Sequence, residues 1–598
     1  MSFEVDFEPI GRRVPCNSGD TILDAAQRAG IVLNATCGGE GVCGRCIVRV
    51  MDGLVTSPNL TEEAELGGQA KDGWRLACQT EVQGNLKIHI PPDSLATAQR
   101  TQTEGQSLPI ELNPAVRSVT VSLPPPSLTD LRSDANRLRD SLGIPDLVFP
   151  TSVLRTLSDE LRTNEFKVSV FLRGSSVIAV RPADTPALGL AVDLGTTKLA
   201  GYLVDLTSGE TLATAGAMNP QIAFGEDVMA RIGHAISTPE GGEQLRDAIV
   251  DALRNMAKDL CTQADCSTSD IVEAVIVGNT AMHHLFLGLP VKQLGLAPYV
   301  STESAALDIP VREVGFDFAT GANVHMLPNI AGFVGADHVA MLLGSGMLEK
   351  DGVILGLDIG TNTEISLIAN GEHYACSTAS GPAFEGAHIL HGMRAAPGAI
   401  EKVLIHDGEI MLQTIDNQPP TGLCGSGILD LVAQMRKADI INLRGAFNTS
   451  NDNLRTRQGA HGPEFVLVSP SKNGEREISF NRSDVNEIQL AKGAMRTGVK
   501  ILLEKAGLNE KDIDTVIIAG AFGTYLDVQS GIDIGMFPKI EKEKFIQVGN
   551  AAGAGARMAL LSARIRERAI QAVKSIKYVE LTVEPSFSSN FAKSLLLE

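Results

Sequence analysis

Cys37, Cys43, Cys46 and Cys78 leave gaps of five, two and thirty-one residues, the spacing by which one loop and one distant residue hold a [2Fe–2S] cluster. Thiolates converging on one small volume require a tightly curled backbone. Gly38, Gly39, Gly41 and Gly44 supply the positive φ angles that such a curl needs. Zinc fits poorly, because structural zinc sites pair two short Cys-x-x-Cys knuckles and Cys78 has no second cysteine beside it. Cys16, on a strand before the helical stretch 21–29, reads as a packed thiol. The cysteine set therefore predicts one-electron chemistry.

A second chemistry lies farther along. Gly189-Leu-Ala-Val-Asp193-Leu-Gly195-Thr196-Thr197-Lys198 and Ile354-Leu-Gly-Leu-Asp358-Ile-Gly360-Thr361-Asn362-Thr363 repeat one pattern: a buried-type strand, an Asp, a Gly-Thr turn and a second strand. In such a turn the glycine lets backbone N–H groups approach phosphate oxygens, the hydroxyls donate to them, and the carboxylate orients Mg²⁺. One copy alone reads as an ordinary hairpin, whereas two facing copies would grip a triphosphate from both sides. The strand 515–519 then runs into Gly520-Ala521-Phe522-Gly523, a turn that lets backbone lie close to a nucleoside. Asn279, and the run Gly425-Ser426-Gly427, each precede a helical pattern, and a helix amino terminus is an anion site. Glu385, in a glycine-bounded turn after the second Asp motif, reads as a residue that positions metal or water, or as a cap for a following helix.

These motifs in this order resemble the actin, Hsp70 and sugar-kinase ATPase fold. The resemblance implies that the Asp193 and Asp358 turns are phosphate motifs and that the Gly520 turn is the adenosine motif. Residues 3–91 likewise resemble a plant-type or adrenodoxin-type ferredoxin, a β-grasp domain. A competing dinucleotide-binding reading rests on Gly553-Ala-Gly555-Ala-Arg557, which lacks the third glycine and the partner acid. His283-His284 and the pair His388 and His391, at helical spacing, read as packing or surface residues rather than metal ligands.

The elements that must position these groups fall into a multidomain α/β and α+β chain. Residues 1–92 form the iron–sulfur domain. Residues 93–112, poor in large apolar side chains and rich in Ser, Thr, Gln and Gly, read as a flexible linker. A small α+β domain follows over 113–186, with helical patterns through Leu131, Leu138 and Leu142 and through Leu154, Leu157 and Leu161. The duplicated ATPase domain spans 187–598.

The chain has 598 residues, 43% of them apolar, and a formal charge of −20. That charge argues against nucleic acid or an anionic membrane as partner. Nine cysteines, four of them assigned to iron, leave an odd number and no disulfide framework. With no basic apolar leader and no run of eighteen apolar residues, the expected location is cytoplasmic.

An iron–sulfur domain, a tether, a small middle domain and an actin-like ATPase together resemble the reductive activators of corrinoid proteins, including over 328–337 and 487–494. The family implies ATP-dependent one-electron reduction of Co(II) to Co(I) on a corrinoid protein or corrinoid-dependent methyltransferase subunit. It also implies an upstream electron donor, a homodimer formed through the ATPase domain, and a [2Fe–2S] cluster, ATP and Mg²⁺ as cofactors. The competing readings are a ferredoxin-fused small-molecule kinase, a radical-dehydratase activator and a redox-sensing nucleotide-binding scaffold.

Overall fold

The computed structural model describes residues 2–598 except 9–11, 30, 32, 34, 36–38, 40, 42–43, 92–93, 95–107, 407–408, 449–454, 460–461, 470–476, 521–522 and 524–525. The first domain is a mixed five-stranded sheet of β1 (Ser2–Glu8), β2 (Arg12–Asn17), β3 (Ile47–Val55), β4 (Trp74–Leu76) and β5 (Val82–His89), in the order β2-β1-β5-β3-β4. Its helix Ile22–Arg28 starts at Thr21, whose side chain accepts from the Asp24 amide while Asp24 returns the bond, and it buries Ile22, Leu23, Ala25 and Ala26. Cys16 is buried in β2. Of the expected linker 93–112, Ser94 instead packs back on this domain, donating to the Ile47 carbonyl at 2.5 Å. Residues 93 and 95–107 lie outside the described residues.

At the far end of that linker, the Asn113 amide donates to the Leu561 carbonyl and the Ala563 amide to the Asn113 carbonyl. The chain is thus pinned before the next domain begins. That domain is a three-stranded antiparallel sheet of β6 (Val116–Ser122), β7 (Lys167–Arg173) and β8 (Ser176–Pro182), packed on the helices Asp134–Leu142 and Thr151–Thr163. Leu131, expected on the first helix, precedes it and is exposed, because Ser133 caps the helix two residues later. The domain is joined to its neighbour by Arg173, which pairs with Asp308 at 2.5 Å and Glu273 at 3.4 Å, and by Arg181 donating to the Ser269 carbonyl.

The remaining chain contains two copies of one sheet plan. In the first, β9 (Leu188–Leu194), β10 (Lys198–Asp205) and β11 (Thr211–Met218) form an antiparallel meander. Next come β12 (Ile271–Gly278), β13 (Leu307–Pro310) and β14 (Asn323–Met326), giving the order β11-β10-β9-β12-β14-β13 with β9, β12 and β14 parallel. The second copy repeats this with β15 (Ile354–Ile359), β16 (Thr363–Ala369) and β17 (Glu372–Thr378). Two small three-stranded sheets intervene, one of β18 (Ala399–His406), β19 (Glu409–Thr414) and β20 (Gly422–Leu423), the other of β21 (Thr456–Gly459), β22 (Gly462–Val468) and β23 (Ile478–Asn481). β24 (Thr515–Ala519), β25 (Phe545–Gly549) and β26 (Ile576–Tyr578) complete the order β25-β24-β15-β16-β17-β26. The central parallel strands are mostly apolar because both faces are covered; every residue of β12 is buried, and its one charged residue, Glu273, pairs with Arg566 at 2.9 Å.

The halves meet where the helix Ala336–Gly344, after β14, crosses the helix Ala551–Leu561, after β25. A Cβ on Gly555 would collide with the Ala340 carbonyl oxygen, and one on Gly344 with the Ala551 carbonyl oxygen. Gly555, which suggested a dinucleotide loop, is therefore a helix-crossing residue. Gly555→Ala is expected to cost about 1–3 kcal/mol by overpacking this crossing. Calorimetry should show the ATPase-domain transition lowered and the iron–sulfur domain's untouched; an unchanged ATPase transition would refute the close crossing.

Candidate functional site

A cleft between the two halves is lined by both Asp turns. Asp193 lies next to last in β9 and Asp358 next to last in β15, so each strand delivers its acid to the cleft just before the chain turns back. The turns touch across the gap. Thr197 Oγ1 lies 3.1 Å from Thr361 Oγ1, Thr361 donates to Glu385 Oε1 at 2.7 Å, and Thr197 reaches the same oxygen at 3.5 Å. Asn550, which caps the helix 551–561, donates to Asp193 Oδ2 at 2.9 Å. Asn279 caps the helix Thr280–Leu287 and donates to Thr196 Oγ1 at 2.9 Å. The buried Arg231 holds the first turn from behind through the Thr196 carbonyl, and Asn219 holds the Gly195 carbonyl.

Two acids join the predicted pair. Glu364 stands directly opposite Asp358 in the β15–β16 register, and Asp337 opens the helix 336–344; both line the cleft. Like charges directly opposite on neighbouring strands repel. Burial, against the pull of the Asn550 amide, holds the Asp193 carboxyl up at about 6. Burial and the Asp193 charge push Asp337 up to about 7. Burial, then the charges of Asp337 and Asp193, put Asp358 well above the ordinary carboxylate range, and burial with Asp337 and Asp358 does so for Glu364. Burial also draws the Lys198 ammonium down, Glu385 opposing. Among the described residues no group of three or more acidic, histidine or cysteine side chains is placed to hold a metal ion directly, so a hard divalent cation would meet these acids through its water shell and the phosphates it carries.

Gly195, Thr196, Thr197, Lys198, Asn279, Gly360, Thr361, Asn362, Gly425, Ser426 and Gly520 all line the cleft, with Asp193, Asp358 and Glu385. Thr363 does not reach it: its hydroxyl is buried 2.8 Å from Ser380 Oγ, helping to shape the Gly360–Thr361 turn. Gly427 packs under the Ile400 carbonyl. Gly523 accepts from Gln547 through its carbonyl, and Ala521 and Phe522 lie outside the described residues. Glu385 caps no helix; a short 3₁₀ turn, 383–385, ends on it and an irregular loop follows, so His388 and His391 do not share a helix face. His283 and His284 are fully buried.

Cys37 and Cys43 lie outside the described residues. Cys46 and Cys78 are buried with their sulfurs 3.3 Å apart, too far for a disulfide and close enough for two thiolates on one metal. The β3–β4 register, with Ile47 opposite Leu76, and the Ala77 amide bonded to the Cys46 carbonyl bring them together. Gly41 and Gly44 have φ of 82° and 60°, as the curled loop requires. The buried Glu62 fixes the segment bearing Cys78. It pairs with Arg75 at 2.7 Å and accepts from the Leu76 amide and Thr80 hydroxyl, each at 3.0 Å. Burial raises its carboxyl, but these partners hold it below its usual value. The local sequence marks Glu62 only as the partner of the Asn59 cap on the helix Leu60–Leu66; its buried pairing cannot be read there, because Arg75 lies thirteen residues away.

Comparison with known proteins joins the two sites. A 2Fe-2S iron–sulfur cluster binding domain matches residues 5–83, and the RACo linker region, the RACo middle region and the C-terminal ASKHA domain of RACo match 105–187, 188–350 and 352–598. The corrinoid activation enzyme RamQ of Eubacterium limosum is 32% identical over 98% of this chain and 97% of its own length. The chain belongs to the reductive activators of corrinoid proteins. Within this family, a solved reductive activator for a corrinoid, iron–sulfur protein covers 100% of this chain and 98% of its own, at 34% identity and a TM-score of 0.73. A Methanosarcina barkeri reductase of a methylated-amine-specific Co(II) corrinoid protein is 26% identical over 67% of this chain and 75% of its own. The family's linker region coincides with the small α+β domain, which is a folded unit. No helix among the described residues is long and apolar enough to cross a membrane.

The raised carboxyls predict a pH signature. Without a divalent cation the folded cleft retains protons that the unfolded chain releases near pH about 4, so stability falls as pH rises from there through about 6 and 7. Thermal unfolding should show Mg²⁺ stabilising the ATPase domain several-fold more at about pH 7.5 than at about pH 5.5, since cation binding displaces those protons. Equal stabilisation at both would contradict cation binding by these acids.

Proposed function

We propose that this protein reduces the Co(II) corrinoid of a partner protein to Co(I) by one electron, at the expense of ATP. The observation that carries the reading is the full-length likeness to corrinoid activators, which spans the cysteine domain and the double-Asp cleft together. A [2Fe–2S] cluster held by Cys37, Cys43, Cys46 and Cys78 supplies a one-electron centre. Plant-type centres sit near about −400 mV, and each ~59 mV by which a one-electron acceptor lies lower costs a factor of about ten in the transfer equilibrium. Nucleotide offsets this by preferring one of two conformations of the partner complex.

In the cleft, the glycine turns at Gly195 and Gly360 offer backbone N–H groups to the phosphates, and Thr196, Thr197 and Thr361 offer hydroxyls. Asp193, Asp337, Asp358 and Glu364 would face the water shell of a phosphate-borne Mg²⁺, and the half-buried Lys198 adds a positive charge in the cleft. Glu385, already bonded to two hydroxyls of the turns, orients the water that attacks the γ-phosphate and leaves as part of inorganic phosphate. Gly520 through Gly523 and Gly425-Ser426 border the nucleoside. Phosphoryl transfer is mostly positioning and charge stabilisation, so displaced acids cost orders of magnitude. The other partners in this reading are an upstream electron donor and a second copy of the chain, in the cytoplasm.

Asp358→Asn should lower ATP hydrolysis stimulated by the corrinoid protein at least a hundredfold and leave the visible absorption of the iron–sulfur domain unchanged. Cys43→Ser should do the reverse, losing absorption while still binding nucleotide. Near-normal hydrolysis in the first variant would sink the cleft assignment. ATP consumption that tracks phosphorylation of a small acceptor would replace it with a kinase.

A further inference from the structure

Arg45 sits in the cysteine loop between Cys43 and Cys46, yet its side chain is spent on another domain. Its guanidinium donates to the carbonyl oxygens of Gly386 and Ile389, each at 3.2 Å, and of Gly392 at 3.4 Å. Carbonyl dipoles turned toward one point repel one another, and a planar fork of five N–H donors can satisfy several at once. Other bonds help to shape the receiving loop. The Leu390 amide donates to Asp484 at 2.8 Å, the Met393 amide to the Leu423 carbonyl at 2.8 Å, and a Cβ on Gly392 would strike the Gly386 carbonyl oxygen.

That loop is rooted in the nucleotide cleft. It starts directly after Glu385 and ends just before Arg394, and both residues line the cleft. Glu385 is held by the hydroxyls of Thr361 and Thr197, the groups for which a phosphate would compete. The chain is fixed again from residue 108: Leu108 packs near Gly346, and Asn113 bonds Leu561 and Ala563 at the end of the helix 551–561.

We propose that Arg45 is a positioning residue: it latches the iron–sulfur domain onto loop 386–392 while Glu385 is bonded to the threonine hydroxyls, and nucleotide phosphates release it by taking those hydroxyls. The inference rests on the ATP-binding part of the function proposed above and not on the corrinoid. Arg45 thereby makes the resting place of the cysteine loop depend on the state of the cleft. After release the domain stays attached through residues 108–113, able to move from the cleft toward a partner.

The test uses the full, cluster-loaded chain and three readouts that do not involve turnover: the radius of gyration in solution, hydrogen exchange of the 386–392 amides, and affinity for a non-hydrolysable ATP analogue. In the wild type the analogue should enlarge the radius and speed exchange. In Arg45→Gln both changes should be present without nucleotide, and the analogue should bind about fivefold tighter, because coupling between two sites is reciprocal. Gly392→Ala spoils the carbonyl cradle from the other side and should give the same release with the iron–sulfur domain unaltered. Unchanged dimensions and affinity in either variant overturn the latch. Wild-type protein that binds no nucleotide overturns it together with the ATP site, whereas nucleotide-driven release without corrinoid reduction supports the latch and counts only against the corrinoid reading.

Discussion

Repulsion among Asp193, Asp337, Asp358 and Glu364 is the constraint around which the ATPase domain is arranged. Two copies of one sheet aim an acid each at a shared cleft, a strand partner and a helix start add one more each, and burial makes all four costly to ionise. A fold that only needed stability would not gather them, since like charges set close together in a cleft destabilise it; single hydrogen bonds from Asn550 to Asp193 and from Ser377 to Glu364 offset part of this. The cost makes sense where a cation and a polyphosphate arrive as the counter-charge. The two halves then share a common ligand, and a ligand that contacts both favours the arrangement in which both reach it.

The helices 336–344 and 551–561 cross closely enough to exclude a Cβ at Gly344 and Gly555, and their apolar side chains share core clusters, so the two halves are joined by one tightly packed contact. The small α+β domain is tied by Arg173 and Arg181 to the first half. The iron–sulfur domain is attached near the crossing and also touches the second half through Arg45. Its connection is therefore more than a tether, although its core is closed on itself by the buried Glu62–Arg75 pair and its own sheet.

Much of this was legible in the sequence because the decisive groups are local. The cysteine spacing, the paired Asp-x-Gly-Thr turns and the strands that carry them are short-range patterns, and the repeat identified the duplicated halves. Asp337 and Glu364 escaped because they enter the cleft through tertiary placement. Glu364 carried a readable signal: a tight turn after Ile359 puts it opposite Asp358, whereas the matching residue opposite Asp193 is Ala200. Thr363 looked like a phosphate ligand by composition, but strand alternation turns it toward Ser380 and the core. The cradle of Arg45 and the buried pairing of Glu62 with Arg75 were invisible, since the partners lie hundreds of residues away in one case and across a buried fold in the other.

The central claim is that a low-potential electron and a nucleotide are coupled within one chain. Anaerobic cobalt absorption spectra of a partner corrinoid protein, mixed with the reduced protein with and without MgATP, test it most directly. The account predicts substantial conversion of Co(II) to Co(I) only when reduced protein and MgATP are both present. Equal conversion without nucleotide would contradict it.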